Sequence, residues 1–315
     1  MLNRRQLRVK VVQSLYAYYH SDTRDVKPFE KSLVKSVDSV YEMYSYLLSL
    51  LIEVADYSVR DAEERANKYL PSEADLNAST KLVDNKFIKA LRDNLEYISA
   101  IKRYKISWQF EPELAKTIFN VLKPSAEYIN YVNATEHSIS TDKDIIKYIF
   151  KKIILKTPGV EQVFDEKFIT WSVDRDVVQA LMAKTFKNFT SEDPYKNKLA
   201  QLTPNWDEDY DFIVNLFNLT IKFEDEYQQL IAQKTKNWEA ERIAMMDTLL
   251  MRMAITELVH FSSIPIKVTI NEYIEISKDF STPKSNSFIN GILDKILADL
   301  KSAGKIRKFG RGLNE

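Results

Sequence analysis

An all-α fold is predicted by three features of this 315-residue sequence. Apolar residues recur at intervals of three and four over most of the chain, which is the spacing of one face of a helix. Glycine occurs only five times, too rarely for the phosphate turns and strand ends of a doubly wound or barrel fold. Apolar residues make up 45% of the chain, enough to fill a real core and to exclude disorder on a large scale.

Helical periodicity and proline or glycine breaks together predict the elements in chain order. Pro71 ends the long second segment, and the Thr157-Pro158-Gly159 triplet separates two later helices. The predicted helices cover residues 3–20, 28–69, 80–108, 112–123, 145–155, 173–189, 209–232 and 237–261. A capping residue at Thr141 or Asp142 is expected for the helix over 145–155.

The segment over 264–296 carries the densest local signals. Residues 264–268 are predicted to be extended, because Pro265 disfavours helix at the residue before it. Thr269 and Glu272 have the spacing of a capping box, so a helix is predicted over 270–280. A Ser-Thr-Pro triplet then ends that helix, and a second helix is predicted to begin near Ser285 or Asn286.

Two residues in the second of these helices have alternative interpretations. Gly291 lies inside the helix, where glycine costs about 1 kcal/mol relative to alanine, so close approach of another group is expected there. Packing against a neighbouring helix is the preferred interpretation, and a ligand is the alternative. Phe288 near the helix start could stack on a nucleic-acid base, or it could belong to the core.

Several classes of protein are excluded by composition. Cysteine is absent, which removes disulfides, thiol nucleophiles and thiolate metal sites together. The sequence has neither a G-x-G-x-x-G nor a P-loop motif, and the three histidines show no metal-ligand spacing. The acidic cluster at 207–211 is interpreted as a helix N-terminus favoured by the macrodipole, rather than a cation site. We expect no enzyme, no metal and no cofactor.

No secretory or membrane-spanning segment is predicted. The basic first ten residues are not followed by a long apolar stretch, and no run of about 18 apolar residues occurs anywhere. The expected location is the cytoplasm, without membrane contact.

Charge is balanced overall, with 45 basic and 45 acidic residues, but it is unevenly distributed. Both ends are basic while the middle compensates, a local pattern typical of phosphate contacts. The alternative is that these cations only solvate the two termini. The basic residues of the front end are Arg4, Arg5, Arg8 and Lys10, and those of the tail are Lys301, Lys305, Arg307, Lys308 and Arg311.

Three motifs carry a family resemblance. PIKVTINEYIEISKDF followed by SFINGILDKI resembles the end of transcription antitermination factors of the NusB family. The 238–258 segment, with Trp238-Glu239-x-Glu241-Arg242-Ile243, is similar to the preceding family helix. The arginine-rich front leading into Val12-Gln13-Ser14-Leu15-Tyr16 resembles the first family helix. Residues 2–20 and 208–300 carry this resemblance.

The resemblance implies a NusB-like bundle of two packed sub-bundles, enlarged by an inserted helical region. Residues 1–21 and 207–301 would form the RNA-binding core, 22–206 the insertion and 302–315 a basic tail. It also implies binding to boxA-type single-stranded RNA in nascent ribosomal RNA transcripts. The implied protein partner is the small-subunit ribosomal protein that acts as NusE, with RNA polymerase contacted indirectly.

The resemblance also implies site residues. The RNA-contacting set would be Arg4, Arg5, Arg8, Lys10, Lys284, Ser285, Asn286, Phe288 and Asn290. The partner-protein set would be Tyr16, Asp247 and Glu257. This sequence departs from the family pattern in two places: the charges usual at 284 and 287 are exchanged, and Gln6 interrupts the arginine run.

Two alternatives remain from other functional classes. Some ribosomal RNA cytosine methyltransferases carry a NusB-like first domain, but the absent cysteine and glycine-rich loop exclude that activity. The second is a protein–protein scaffold that uses the long insertion as its surface. Its aromatic residues would serve either a core, which is the preferred interpretation, or an interface; they include Tyr41, Tyr44, Tyr46, Tyr57, Tyr97, Tyr104 and Trp108.

Overall fold

A computed structural model describes residues 1–135, 138–235 and 244–309 of the chain. Helices provide the regular structure in these ranges, and no strand occurs in them. The predicted all-α class is therefore confirmed. None of the described helices is both long enough and apolar enough to cross a lipid bilayer.

The helices lie as follows in chain order. They are α1 (Arg4–Tyr19), α2 (Val26–Ala66), α3 (Glu73–Leu76), α4 (Lys86–Arg92), α5 (Leu95–Tyr104), α6 (Pro112–Leu122), α7 (Ala126–Asn133), α8 (Ile139–Tyr148), α9 (Pro158–Lys167), α10 (Trp171–Asn188), α11 (Trp206–Lys222), α12 (Glu224–Lys234), α13 (Met245–His260), α14 (Ile266–Phe280) and α15 (Ser285–Ser302). A π-helical turn (Ile149–Ile153) and a 3₁₀ turn (Ile154–Lys156) continue α8.

The chain forms two compact units. The terminal unit comprises Leu2–Val37 and Asn205–Glu315, and the middle unit comprises Asp38–Pro204. The middle unit therefore interrupts the terminal unit in sequence. The assignment of an RNA-binding core to residues 1–21 and 207–301 stays a prediction, as does the role of residues 22–206.

Helix α13 lies at the centre of the terminal unit. Its residues are buried on nearly every side, which is expected of a helix surrounded by others rather than an amphipathic surface helix. Helices α11, α12, α14 and α15 pack against it, and so does α1. Burying side chains such as Leu250, Met253 and Leu258 contributes about 1.5–3 kcal/mol each to holding this unit together.

The start of α14 differs from the prediction. The helix begins at Ile266 after an N-cap at Pro265, so the expected extended stretch and capping box are both wrong. Thr269 is fully buried, and its hydroxyl donates to Glu257 instead of capping a helix. The predicted end before the Ser-Thr-Pro triplet and the restart at Ser285 are confirmed.

Five of the seven aromatic residues singled out in the middle unit lie inside it, and Tyr41 and Tyr104 are half-buried. Tyr44, Tyr46, Tyr57, Tyr97 and Trp108 are all buried, which favours the core interpretation over an interface. The hydroxyl groups of Tyr44 and Thr185 form a short hydrogen bond between α2 and α10. The Ala200 amide donates to both oxygens, at 3.3 Å and 3.1 Å.

The predicted single helix over 80–108 is two helices. It breaks between Arg92 and Leu95, where Asn94 is buried and its side-chain oxygen accepts the amides of Glu96 and Tyr97. Such an N-cap satisfies amides that the first turn of a helix leaves free. The apolar periodicity runs through both helices, so the pattern alone did not show the break.

The helix after residue 137 also starts earlier than predicted. It begins at Ile139 with a capping box from Ser138, whereas Asp142 accepts the backbone amide of Lys86 in α4. The acidic cluster behaves as expected, because α11 begins at Trp206 with Asp207, Glu208 and Asp209 in its first turn. Within the described residues, no cluster of acids and histidines could hold a metal ion. The 238–243 motif, His137 and Arg311 lie outside the described residues.

Candidate functional site

An open groove of about 910 Å³ lies on the terminal unit beside the start of α1. Arg4, Arg5 and Arg8 line one side of it, and Phe212 of α11 and Val268 of α14 line others. The sequence therefore brings the predicted arginines to a concave surface, although their partners come from helices more than 200 residues away.

Local chemistry fixes the start of α1. Asn3 caps the helix by accepting the amide of Gln6 at 2.9 Å, and Gln6 returns the bond by accepting the amide of Asn3 at 2.8 Å. The residue that interrupts the arginine run thus completes a capping box. It holds Arg4 and Arg5 on the first helical turn, in defined positions at the groove.

Arg4 is held from three directions but keeps one unsatisfied donor. Its guanidinium lies 2.6 Å from Glu208 and 3.4 Å from Asp209, and it stacks over the Phe212 ring at 4.4 Å. Its Nη1 is buried and finds no acceptor among the residues that the structure describes. A buried donor without a partner is costly.

Arg5 forms a bidentate pair with Glu272 of α14, with both nitrogen–oxygen distances at 2.9 Å. The hydrogen bonds that Arg5 donates to Glu272 are the main cause that raises the pKa of Arg5, against a smaller effect of burial. The Arg5 side chain is 45% exposed. An incoming anion could therefore reach it without opening the core.

Arg8 and Lys10 have different surroundings. Arg8 is 1% exposed and forms a bidentate pair with Glu257 of α13, at 2.7 and 2.8 Å. Burial acts to lower the pKa of Arg8, but the Glu257 hydrogen bond and the neighbouring anionic groups outweigh it, so the pKa is raised. Lys10 is 2% exposed. Direct RNA contact is therefore retained as a prediction for Arg4 and Arg5, not for these two buried residues.

The predicted partner-protein residues also differ in how far they are buried. Asp247 is buried and accepts the hydroxyls of Ser281 at 2.5 Å and Ser285 at 2.8 Å. Glu257 is wholly buried in its pair with Arg8. Tyr16 is 41% exposed, and its ring packs 4.0 Å from that of His20. Only Tyr16 of this set is available to a partner in this state.

The hinge between α14 and α15, residues 281–284, is held by Asp247 in the first turn of α13, which accepts the hydroxyls of Ser281 and Ser285. Ser285 is buried by this contact, so it positions the helix start rather than facing solvent. Lys284 is exposed, while Asn286, Phe288 and Asn290 are each half-buried. These four side chains remain the accessible part of the predicted RNA set on α15.

Gly291 lies on an exposed part of α15. A side-chain carbon added there would meet nothing within 4 Å. The preferred interpretation of helix packing is therefore wrong. The glycine leaves open backbone surface one helical turn from Phe288 and Ser287, where a ligand could approach the helix closely.

Sequence reasoning did not predict the groove's apolar and acidic lining. Phe212, Glu208 and Glu272 come from α11 and α14, and nothing in the local sequence pairs them with α1. Only the burial of Arg8 had a signal: it shares a helical stripe with Val11, Val12 and Leu15.

Comparison with known proteins places these features in a family. The NusB family model matches residues 174–298. A protein of Salinibacter ruber named transcription antitermination protein NusB is 41% identical over 143 residues, which cover 44% of this chain and 89% of the relative. The chain belongs to the NusB family.

Two further relatives are also named transcription antitermination protein NusB. That of Dehalococcoides mccartyi is 35% identical over 42% of this chain and 92% of its own length. That of Chloroherpeton thalassium is 46% identical over 33% of this chain and 49% of its own. No solved structure matches this chain closely enough to be counted as similar. The NusB family match begins at residue 174 in α10, within the region for which the sequence motifs gave no counterpart.

Proposed function

We propose that this protein is a non-catalytic transcription antitermination factor that binds boxA-type single-stranded RNA of nascent ribosomal RNA transcripts. The observation that carries the proposal is the placement of Arg4 and the 45%-exposed side chain of Arg5 on the same open groove. The antitermination role is supported by the relatives of Salinibacter ruber and Dehalococcoides mccartyi, which are transcription antitermination proteins by name.

Arg4 and Arg5 would supply the phosphate contacts. Guanidinium groups bind phosphate oxygens through paired, charge-assisted hydrogen bonds, and both side chains lie on the groove. The acids that hold them, Glu208 and Glu272, keep the guanidinium groups oriented before RNA arrives. This pre-organisation reduces the conformational entropy lost on binding.

Helix α15 would contact bases. Unstacked bases of single-stranded RNA stack on aromatic rings, and Phe288 is half-buried near the start of this helix. Asn290 offers both a donor and an acceptor for a base edge. Gly291 would let the nucleotide pack against the helix backbone, since no side chain occupies that space.

The salt dependence follows from the number of accessible cations. Four cations on α1 would give a log–log slope near −3 for single-stranded RNA, at about −0.7 per phosphate contact. Because Arg8 and Lys10 are buried, the accessible set reduces to Arg4, Arg5 and Lys284. The expected slope is then about −2.

The proposed protein partner is the small-subunit ribosomal protein that acts as NusE, and RNA polymerase would be reached indirectly through the resulting complex. Tyr16 is the exposed residue of the predicted partner surface. Asp247 and Glu257 are buried and would act indirectly. Asp247 would hold the start of α15 in position through Ser285, and Glu257 would hold α1 in position through Arg8.

The decisive experiment is a titration of a boxA-like RNA of about 12 nucleotides at two salt concentrations, with and without the ribosomal partner. The full-length protein should bind with a slope near −2. Arg5→Glu should weaken binding more than tenfold, and Phe288→Ala should weaken it without changing the slope. Arg103→Glu is the matched control, because this exposed arginine also pairs with an acid but lies in the middle unit.

Two outcomes would overturn the proposal. One is the absence of salt-dependent binding under both conditions. The other is an equal loss of affinity in the Arg5 and Arg103 variants, which would indicate a non-specific charge effect. Circular dichroism of each variant confirms that the fold is retained.

A second candidate, a protein–protein scaffold, is favoured by a different observation. Large apolar side chains are exposed on the middle unit, including Phe110 at 87% and Ile169 at 98%. Exposed apolar side chains mark an interaction site where they form a contiguous patch. Failure of RNA binding together with loss of partner binding in a Phe110→Ser variant would favour the scaffold.

A further inference from the structure

Positive charge is segregated on the middle unit. The segment over 145–160 contains four lysines (Lys147, Lys151, Lys152 and Lys156) and no acid. The segment over 177–191 contains two lysines (Lys184 and Lys187) and no acid. The whole chain has a formal net charge of zero, so this concentration of charge is not a consequence of overall composition.

The fold brings these two segments together. The Phe150 ring of the π-helical turn contacts the Phe186 ring of α10, with centroids 5.7 Å apart. Lys143 of α8 donates to the backbone oxygen of Phe189 at 2.9 Å, just past the end of α10. From the first contact to the second, the residue number increases from 143 to 150 on one side and decreases from 189 to 186 on the other. The two segments therefore run antiparallel.

The antiparallel pairing places the lysines on one side. Lys143, Lys147 and Lys151 are spaced four residues apart and form a single column along α8 and its π-helical turn. Lys151 and Lys187 each follow directly the phenylalanine that joins the two helices, and both are exposed. We name Lys147, Lys151 and Lys187 the lysine face.

Much of this charge is not neutralised. Lys151 and Lys187 form no ion pair with any residue that the structure describes, whereas Lys147 pairs with the exposed Asp144 at 2.9 Å. Lys143 and Lys147 are four residues apart on α8, and burial, followed by the charge of Lys147, lowers the pKa of Lys143 against an opposing effect of Asp144. Elsewhere on the unit, Arg92 and Arg103 are paired with acids.

The face suits a polyanion that is recognised by charge. Phe150 and Phe186 are each 2% exposed, so neither ring is available to stack on a base. Lysine presents a point charge rather than the fork that reads base edges. A membrane surface would require an exposed apolar side on the same helix, but Ile149, Ile153 and Ile154 are buried.

We propose that the lysine face binds the phosphate backbone of RNA independently of sequence, as a second RNA contact located on the middle unit. This site is separate from the groove of the terminal unit. It goes beyond the boxA interaction proposed above, and it can be present whether or not that interaction occurs.

The test uses a triple variant of the full-length protein, Lys147→Gln, Lys151→Gln and Lys187→Gln. Its matched control is Lys31→Gln, Lys35→Gln and Lys102→Gln, which removes the same charge at three exposed lysines outside the face. The probes are a single-stranded RNA of about 30 nucleotides without a boxA-like element and the short boxA-like RNA. Fluorescence anisotropy over a range of salt concentrations gives the affinities and slopes.

On the 30-nucleotide probe, the lysine-face variant should lose about 2 units of log–log salt slope, at about 0.7 per phosphate contact, while the control keeps the wild-type slope. Both variants should bind the short boxA-like RNA as the wild type does. An unchanged slope in the lysine-face variant would overturn the inference and would point to an acidic protein as the occupant. An equal loss in the control would also overturn it. If Arg5→Glu loses binding to the short boxA-like RNA and keeps binding to the 30-nucleotide probe, the two RNA contacts are independent.

Discussion

Arg8 and Glu257 form a buried bidentate ion pair although 249 positions separate them in sequence. Glu257 also accepts the hydroxyl of Thr269 at 2.8 Å and that of Tyr273 at 3.2 Å. One carboxylate therefore joins α1, α13 and α14. Burial is the main cause that raises the pKa of Tyr273, so this hydroxyl remains a donor to Glu257 at physiological pH.

Replacing Glu257 should strongly destabilise the terminal unit. In Glu257→Gln the buried Arg8 loses its bidentate counter-charge and keeps only the longer contact to Glu272 at 3.6 Å. Breaking one partner of a buried pair costs about 3–5 kcal/mol. Hydrogen exchange measured by mass spectrometry should accelerate in α1, α13 and α14. Glu272→Gln removes the partly exposed pair with Arg5 and a longer contact of 3.6 Å to Arg8, so it should cost less, about 1 kcal/mol. Equal exchange in the two variants would contradict the role assigned to Glu257.

Gly291 offers a test in which stability and binding move in opposite directions. Because the space around it is open, Gly291→Ala should stabilise α15 by about 1 kcal/mol and raise the melting temperature. If RNA approaches the backbone there, affinity for the boxA-like RNA should fall more than threefold. The reverse change Ala298→Gly, on an exposed position of the same helix, should lower stability and leave affinity unchanged. Unchanged affinity in Gly291→Ala would remove this glycine from the proposed RNA surface.

Lys308 should make stability depend on pH. Its Nζ donates to the backbone oxygens of Glu257 at 3.1 Å and Phe261 at 2.8 Å, at the end of α13. Burial lowers the pKa of Lys308 to about 8, against an opposing effect of Glu257. The pKa of a lysine in the unfolded chain is about 10.4. Between about pH 8 and this value, the unfolded chain therefore binds more protons than the folded protein. Stability should therefore rise with pH from about 8 to about 10.

Thermal unfolding of the wild type and of Lys308→Met checks this sign. The wild type should gain stability relative to the variant as pH rises through that window. A relative loss would mean that the charged form of Lys308 is the one that stabilises the fold. An NMR titration of labelled lysine side chains, assigned with Lys308→Arg, measures the pKa directly.

Tyr44 should be important for the middle unit. In Tyr44→Phe the Ala200 amide and the Thr185 hydroxyl each lose one partner in a fully buried site, which should cost about 1–3 kcal/mol. Chemical denaturation, with hydrogen exchange in α2 and α10 as the probe, measures the change in the free energy of unfolding. Tyr41→Phe is the comparison, because Tyr41 is half-buried and makes ring contacts. A larger loss in Tyr41→Phe than in Tyr44→Phe would contradict the prediction.

The helical class could be predicted because it depends on local patterns, whereas individual helix starts depended on distant contacts. Thr269 and Glu272 have capping-box spacing, yet Glu257 takes the Thr269 hydroxyl and Arg5 takes the Glu272 carboxylate. Both competing partners come from other helices. Asn94 shows the converse, since a local cap broke a helix that continuous apolar periodicity had predicted.

The arginines expected to contact RNA lie together on α1, but the difference in their burial was not predicted. The arginines occupy positions 4, 5 and 8, so helical geometry turns Arg5 outward and Arg8 into the core. Arg8 lies on the same helical stripe as Val11 and Leu15, so its burial could have been predicted from the apolar periodicity of α1. The acids opposite the arginines were not, because they lie between 200 and 270 residues further along the chain.

The interrupted sequence of the terminal unit sets an order of events during synthesis. Helix α1 is made first, but Glu257, its buried counter-charge, follows 249 residues later. At about 5–20 residues per second, the ribosome needs roughly 10 to 50 s to supply it. During that interval the middle unit can fold, while Leu7, Val11 and Leu15 have no core to enter. The newborn chain therefore carries an exposed apolar and basic segment, which is a suitable target for a chaperone at the tunnel exit.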